Sequence, residues 1–153
     1  MRRGALTMGK NSRGDPGTVE RLLESTLESV DAAEELAIEQ AGKAGVPEDD
    51  VHKIAMAVRE SMVNAVVHGN RYNAHKKVRL SVSKRPGEFV VRIADQGEGF
   101  DYENLPDPVA EENLLRHSGR GIFLIKAFMD DFRVRRLDPE GTEVTLVKYL
   151  VSK

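Results

Sequence analysis

The chain contains no cysteine among its 153 residues. That excludes a disulfide, a thiolate metal site and a cysteine nucleophile. It has no apolar run of membrane-spanning length and no secretory apolar segment near its start. A cytoplasmic protein that does not engage a membrane is therefore expected. It also lacks an excess of charge of one sign: 23 Lys and Arg stand against 25 Asp and Glu, a net charge of −2. Its two short basic clusters, Lys76-Lys77-Val78-Arg79 and Arg133-Val134-Arg135-Arg136, fall in strand-like segments. They read as solvated strand faces, so direct nucleic-acid binding is not expected. The histidines, among them His52, His75 and His117, show no zinc-ligand spacing.

What is present is the length of one ordinary domain and a clear sequence of elements. Residues 1–17 are rich in Gly, Arg and Lys without periodicity. They are expected to be a flexible tail, with a single domain over 18–153. RLLESTLES fits a strand with Leu23, Ser25 and Leu27 on one face, and equally the first turns of a helix; a strand followed by a helix is the favoured reading. From Val30 the period is helical, with Ala33, Leu36 and Ala37 on one side, Ser29 as an N-cap and Gly45 as the stop. A second helix starts at Pro47 with Glu48, Asp49 and Asp50 in its first turn, where acids meet the positive end of the helix dipole. Its apolar face is Ile54, Val58, Met62 and Ala65, and Gly69 ends it. KVRLSVSKR and EFVVRIAD, joined through Pro-Gly, read as an antiparallel hairpin. GIFLIKAFMDDF reads as a helix entered through Gly119-Arg120-Gly121, and the remainder as a second hairpin turning at Asp138-Pro139-Glu140-Gly141. The fold class is α+β: a two-layer sandwich with a mostly antiparallel sheet covered on one face by helices.

Four short patterns invite a chemical reading. Glu60, Asn64 and His68 fall at i, i+4 and i+8 of the second helix, which puts three polar side chains in one row opposite the apolar set. A carboxylate there is a general-base candidate, and an amide oxygen suits a hard cation such as Mg²⁺. By itself the row is also what any solvated helix face looks like. His68 is expected to be neither a metal ligand nor a nucleophile. Asp95 ends a strand and precedes Gly97 and Gly99. Its carboxylate is an acceptor for an exocyclic amine such as that of adenine, and the glycines leave room for a flat ring. Alone, this pattern is equally a strand-ending turn. Gly119, Arg120 and Gly121, read as a helix entrance, offer backbone N–H groups to an anion. Thr142 follows Gly141 at the start of the last strand and presents a hydroxyl, although Gly-Thr is also ordinary hairpin chemistry.

In this order the four patterns resemble the Bergerat-fold (GHKL) ATPases, the superfamily of gyrase, histidine kinases and mismatch-repair ATPases. Within it AVRESMVNAVVHGN, IADQGEGFD and GRGIFLIKAFMDDF look closest to the bacterial anti-sigma factor serine/threonine kinases. The likeness runs from about residue 20 to about residue 150, nearly the whole domain. It implies that ATP and Mg²⁺ are the cofactors, with Asn64 holding the metal and Glu60 acting as general base. It implies that Asp95 binds adenine, with Gly97 and Gly99 shaping the pocket and Thr142 supporting that end. A lid over residues 101–118 and phosphate contacts from Gly119, Arg120 and Gly121 follow in the same way. The implied partners are an anti-sigma factor antagonist as phosphoacceptor and a sigma factor that the kinase sequesters, with the kinase as a homodimer. The basic tail has no counterpart in that likeness. The sequence shows no phosphoacceptor helix pair and no transducer domain, so a stand-alone ATP-binding domain is expected. Two other functions stay open on the residues: an ATP-gated binding module without transfer activity, and a partner-switching regulator with no sigma factor.

Overall fold

The computed structural model describes residues 17–97 and 117–150. Of the predicted tail only Gly17 lies within that range. Strand β1 (Thr18–Leu23) precedes helix α1 (Leu27–Lys43), which resolves the ambiguity over residues 19–44 as strand, then helix. The N-cap is Thr26, not Ser29. Thr26 is extended (φ −133°, ψ 161°), and its Oγ1 accepts from the Ser29 amide at 3.3 Å. Ser29 is buried inside the first turn instead. The helix stops at Ala44, and Gly45 takes φ +80°. There the Val46 amide donates to the Ala41 carbonyl and the Gly45 amide to the Gly42 carbonyl, the paired bonds that close a helix C-terminus. The buried stripe of α1 is Val30, Ala33, Ala37 and Ala41, small residues that let the next helix come close.

Helix α2 (Glu48–Val63) begins with its three acids and buries Ile54, Val58 and Met62. It does not end at Val63. The chain continues through a π-helical turn, Asn64–Gly69, with Asn64, Ala65, Val66 and Gly69 buried. The hairpin β2 (Val78–Arg85) and β3 (Glu88–Asp95) follows, then α3 (His117–Phe128), then the hairpin β4 (Asp131–Arg136) and β5 (Thr142–Tyr149). α3 starts two residues ahead of the predicted entrance, so Gly119 and Gly121 lie inside the helix rather than before it.

The five strands form one sheet in the order β1-β2-β3-β5-β4, with every neighbouring pair antiparallel. Leu80, Val82, Phe89, Val91, Ile93, Val144 and Leu146 of the sheet join Ile54, Val58, Met62, Ile122 and Ile125 of the helices in one core. This is the expected two-layer α+β arrangement. Lys148 fixes the far end of α3: its Nζ donates to the Phe128 carbonyl at 2.9 Å and lies 3.7 Å from Asp50 and 3.8 Å from Asp130. A cation at a helix C-terminus meets the negative end of the dipole. Among the described residues no helix is long and apolar enough to cross a membrane.

Candidate active site

The register of the central strands sets the first part of the site. Asp95, the last residue of β3, pairs with Thr142, the first of β5. Both are nearly inaccessible, at 6 % and 1 % exposure. Burial pushes the Asp95 carboxyl above the ordinary carboxylate range. The backbone amides of Gly97 and Thr142, and the positive charges of Arg136 and Lys76, pull it back only in part. The Gly97 amide donates to Asp95 Oδ1 at 2.9 Å. The Thr142 hydroxyl is buried with no partner among the described residues.

Close backbone approach explains the glycines around this carboxylate. A Cβ on Gly69 would stand 2.6 Å from Asp95 Cγ. A Cβ on Gly97 would run into the Gly69 carbonyl, and one on Gly141 into the Asp95 carbonyl oxygen. Three segments far apart in sequence, at residues 69, 97 and 141, thus press on one acid with no side chain between them.

The second part comes from α2. Glu60 is half-buried, and Asn64, one turn on, is buried at 3 % exposure. The Asn64 backbone amide donates to the Glu60 carbonyl, so the two side chains follow the α-helical row. A π turn begins at Asn64 and brings Gly69 against Asp95. The Asn64 Nδ2 is buried and has no partner among the described residues. The Glu60 carboxylate lies against α3, where a Cβ on Gly121 would approach its Oε1 to 2.7 Å. Gly121 therefore makes room for Glu60, a role that its reading as part of a phosphate loop did not include.

α3 begins at His117 and has Gly119 and Arg120 in its first turn, where backbone N–H groups have no intrahelical acceptor. Gly121 is the fifth residue, so its amide falls within the ladder. Gly99 and nearly all of the expected lid lie outside the described residues. The sequence reasoning missed Gly69, Asn70, Lys76 and Arg136 as neighbours of Asp95. Gly69 carried a signal, since a helix stop directly beyond a polar row sits at the mouth of whatever that row faces. Lys76 and Arg136 carried none, being charges in otherwise solvated segments.

The donor set fits a hard divalent cation. A buried amide with an unsatisfied polar end stands one turn from a carboxylate, and rotation about the last torsion of Asn64 exchanges its oxygen and nitrogen. Among the described residues no group of three or more His, Asp and Glu converges as a metal site. An amide oxygen and a carboxylate are hard oxygen donors of the kind Mg²⁺ takes.

Residues 23–148 match the histidine kinase-like ATPase domain family. The chain is 31 % identical over 115 residues to the serine-protein kinase RsbW of Staphylococcus epidermidis, covering 71 % of each chain. It is 28 % identical over 119 residues to the RsbW of Oceanobacillus iheyensis, covering 74 % of each. Its fold is similar to the crystal structure of the RsbU and RsbW domains of Rv1364c from Mycobacterium tuberculosis, with a TM-score of 0.60 at 16 % identity. That match covers 86 % of this chain and 31 % of the larger one. The chain belongs to the histidine kinase-like ATPase domain family, beside the RsbW serine-protein kinases.

Proposed function

We propose that the chain, a protein serine/threonine kinase of GHKL type by its family, binds Mg-ATP where α2, α3 and the β3–β5 strand ends meet. It transfers the γ-phosphoryl group to a Ser or Thr of an anti-sigma factor antagonist. The observation that supports this most is the convergence of Gly69, Gly97 and Thr142 on Asp95, with Gly69 on the turn that directly continues the helix carrying Glu60 and Asn64.

In this reading Asp95 accepts a hydrogen bond from the exocyclic amine of adenine. The bare glycine backbones leave space for the ring. The unpartnered Thr142 hydroxyl supplies a further polar contact at the same end. The amides of the first turn of α3 face the phosphates, with Gly119 and Arg120 among them. Asn64 would hold Mg²⁺, which neutralises charge on the phosphates. Glu60 accepts the proton of the attacking hydroxyl. As the new bond from that oxygen to the γ-phosphorus forms, the bond from phosphorus to the β–γ bridging oxygen breaks and ADP leaves. By likeness to RsbW the kinase also sequesters a sigma factor, as a homodimer, and phosphorylation of the antagonist frees it to do so.

The test is radiolabelled ATP incubated with the protein and a candidate antagonist. Label should pass to a Ser or Thr of that protein. Glu60→Gln should abolish labelling while calorimetric ATP affinity stays within about threefold, since Glu60 acts in the transition state. ATP binding with no labelling by the unaltered chain would make it a nucleotide-gated module. Indifference to ATP would sink the reading altogether.

A further inference from the structure

Asn70 follows the π turn and is 2 % exposed. It spends its whole amide on the protein. Nδ2 donates to Ser25 Oγ at 2.9 Å and to the Lys77 carbonyl at 3.0 Å, and Oδ1 accepts from the Gln96 amide at 2.7 Å. Three segments distant in sequence meet on this one side chain: the turn from β1 to α1, the approach to β2, and the exit from β3. Two more bonds close the ring. Ser25 Oγ donates to the Lys76 carbonyl, and the Lys77 amide donates to Gln96 Oε1, each at 2.5 Å. The Asn70 carbonyl accepts from the Asn73 amide at 3.0 Å. That bond closes a turn in which Arg71 and Tyr72 both take positive φ, 52° and 60°. Two adjacent non-glycine residues in the left-handed region persist only where the surroundings over-determine them.

Gln96 stands between Asp95 and Gly97, so whatever fixes its backbone also aims the Gly97 N–H. We infer that Asn70 is a positioning residue for the nucleotide site, holding the Gln96–Gly97 turn so that the Gly97 amide stays on Asp95 and the carboxylate is kept still for the ligand. The inference rests on the reading of Asp95 as the adenine acceptor. Asn70 itself touches no ligand in it.

A positioning role differs from a merely structural one in what it does to Asp95. The groups that face this carboxylate are the amides of Gly97 and Thr142 and the charges of Lys76 and Arg136. Without Asn70 the Gln96–Gly97 turn is released, along with one tether of the Lys76–Lys77 segment. Asp95 then loses a donor that favours its ionised form, and its titration moves to higher pH.

The test uses the full chain without nucleotide, with the Asp95 carboxyl carbon followed by NMR across pH. Asn70→Ala is expected to raise the Asp95 titration midpoint and to speed hydrogen exchange at Gly97. ATP affinity, measured by calorimetry, is expected to fall on the order of tenfold, the loss that goes with one or two buried hydrogen bonds. The turnover rate at saturating ATP should stay within about twofold, because the loss is in binding. Ser25→Ala removes one partner of Asn70 and should shift Asp95 in the same direction by less. Loss of thermal stability with an unmoved Asp95 titration would make Asn70 an ordinary structural residue and overturn the inference. If Asn70→Ala does not fold, the same unmoved titration in Ser25→Ala overturns it. Wild-type protein that ignores ATP would refute the nucleotide reading instead, while the titration still judges Asn70.

Discussion

At the scale of single residues, the proposed site turns on the balance at Asp95. A buried carboxylate is costly unless hydrogen-bonded, and here two amides and two cations offset the burial only in part. The consequence has a sign. Between the ordinary value of 3.8 and the raised one, the folded chain holds a proton that the unfolded chain has lost. The stability contributed by Asp95 is therefore present in acid and is lost as pH rises through that window. If Asp95 is the adenine acceptor proposed above, nucleotide affinity should run the other way, because only the ionised form is a full acceptor for an amine. Asp95→Asn should flatten both trends in urea unfolding and in calorimetry. It should also weaken ATP binding by about 1–3 kcal/mol, the cost of placing an N–H where the ligand needs an acceptor. Equal ATP affinity in the variant would remove Asp95 from the site. Asp95 stood out in DQGEG as a candidate. The pressure on it from Gly69 and Gly141 was not legible there, because close approach is a property of three segments and none of them announces the other two.

Among the elements, α2 and α3 carry the proposed chemistry, and their contact is the most sensitive part of that proposal. The Glu60 carboxylate and the Gly121 backbone share one small space. α3 is pinned at its other end by Lys148, so it is not free to retreat. Gly121→Ala should push Glu60 off its position and lower the turnover rate on the order of ten- to a hundredfold, a usual penalty for a misplacement near 1 Å. ATP affinity should change far less. A steady-state experiment that separates the two quantities would check this, and an unchanged rate would show that Glu60 tolerates the shift. The extent of α2 shows how far periodicity reads. Its apolar stripe and acidic first turn stand in the sequence and in the structure alike. The π turn at its end does not follow from any run of residues. It arises where the helix must deliver Asn64 to one side and a bare Gly69 to another, and such turns gather at functional sites. The cap of α1 teaches the same lesson on a smaller scale. Ser29 and Thr26 are both plausible N-caps, and the exit from β1 selects Thr26, leaving Ser29 inside the turn.

For the molecule as a whole, one antiparallel sheet carries the helices on the face where Phe89, Val91, Ile93 and Leu146 point. Phe89 is wholly buried in the middle of that core. Phe89→Ala should cost about 3–5 kcal/mol of stability in urea unfolding, and saturating Mg-ATP should restore part of it by mass action. No recovery would mean that the nucleotide does not bind the native state in preference to the unfolded one. The sequence by itself determined the elements, because alternation and helical period write burial directly into residue order. It also determined the fold class, and through four ordered motifs it determined the family. Tertiary structure alone decided which side chains share a space: Gly121 with Glu60, Gly69 and Gly141 with Asp95, and Asn70 with Ser25, Lys77 and Gln96. Apart from Asn70 with Lys77, 7 positions away, these contacts join residues 26 to 61 positions apart. Steric fit and hydrogen bonding over such separations depend on how the layers stack, and residue order does not carry that information.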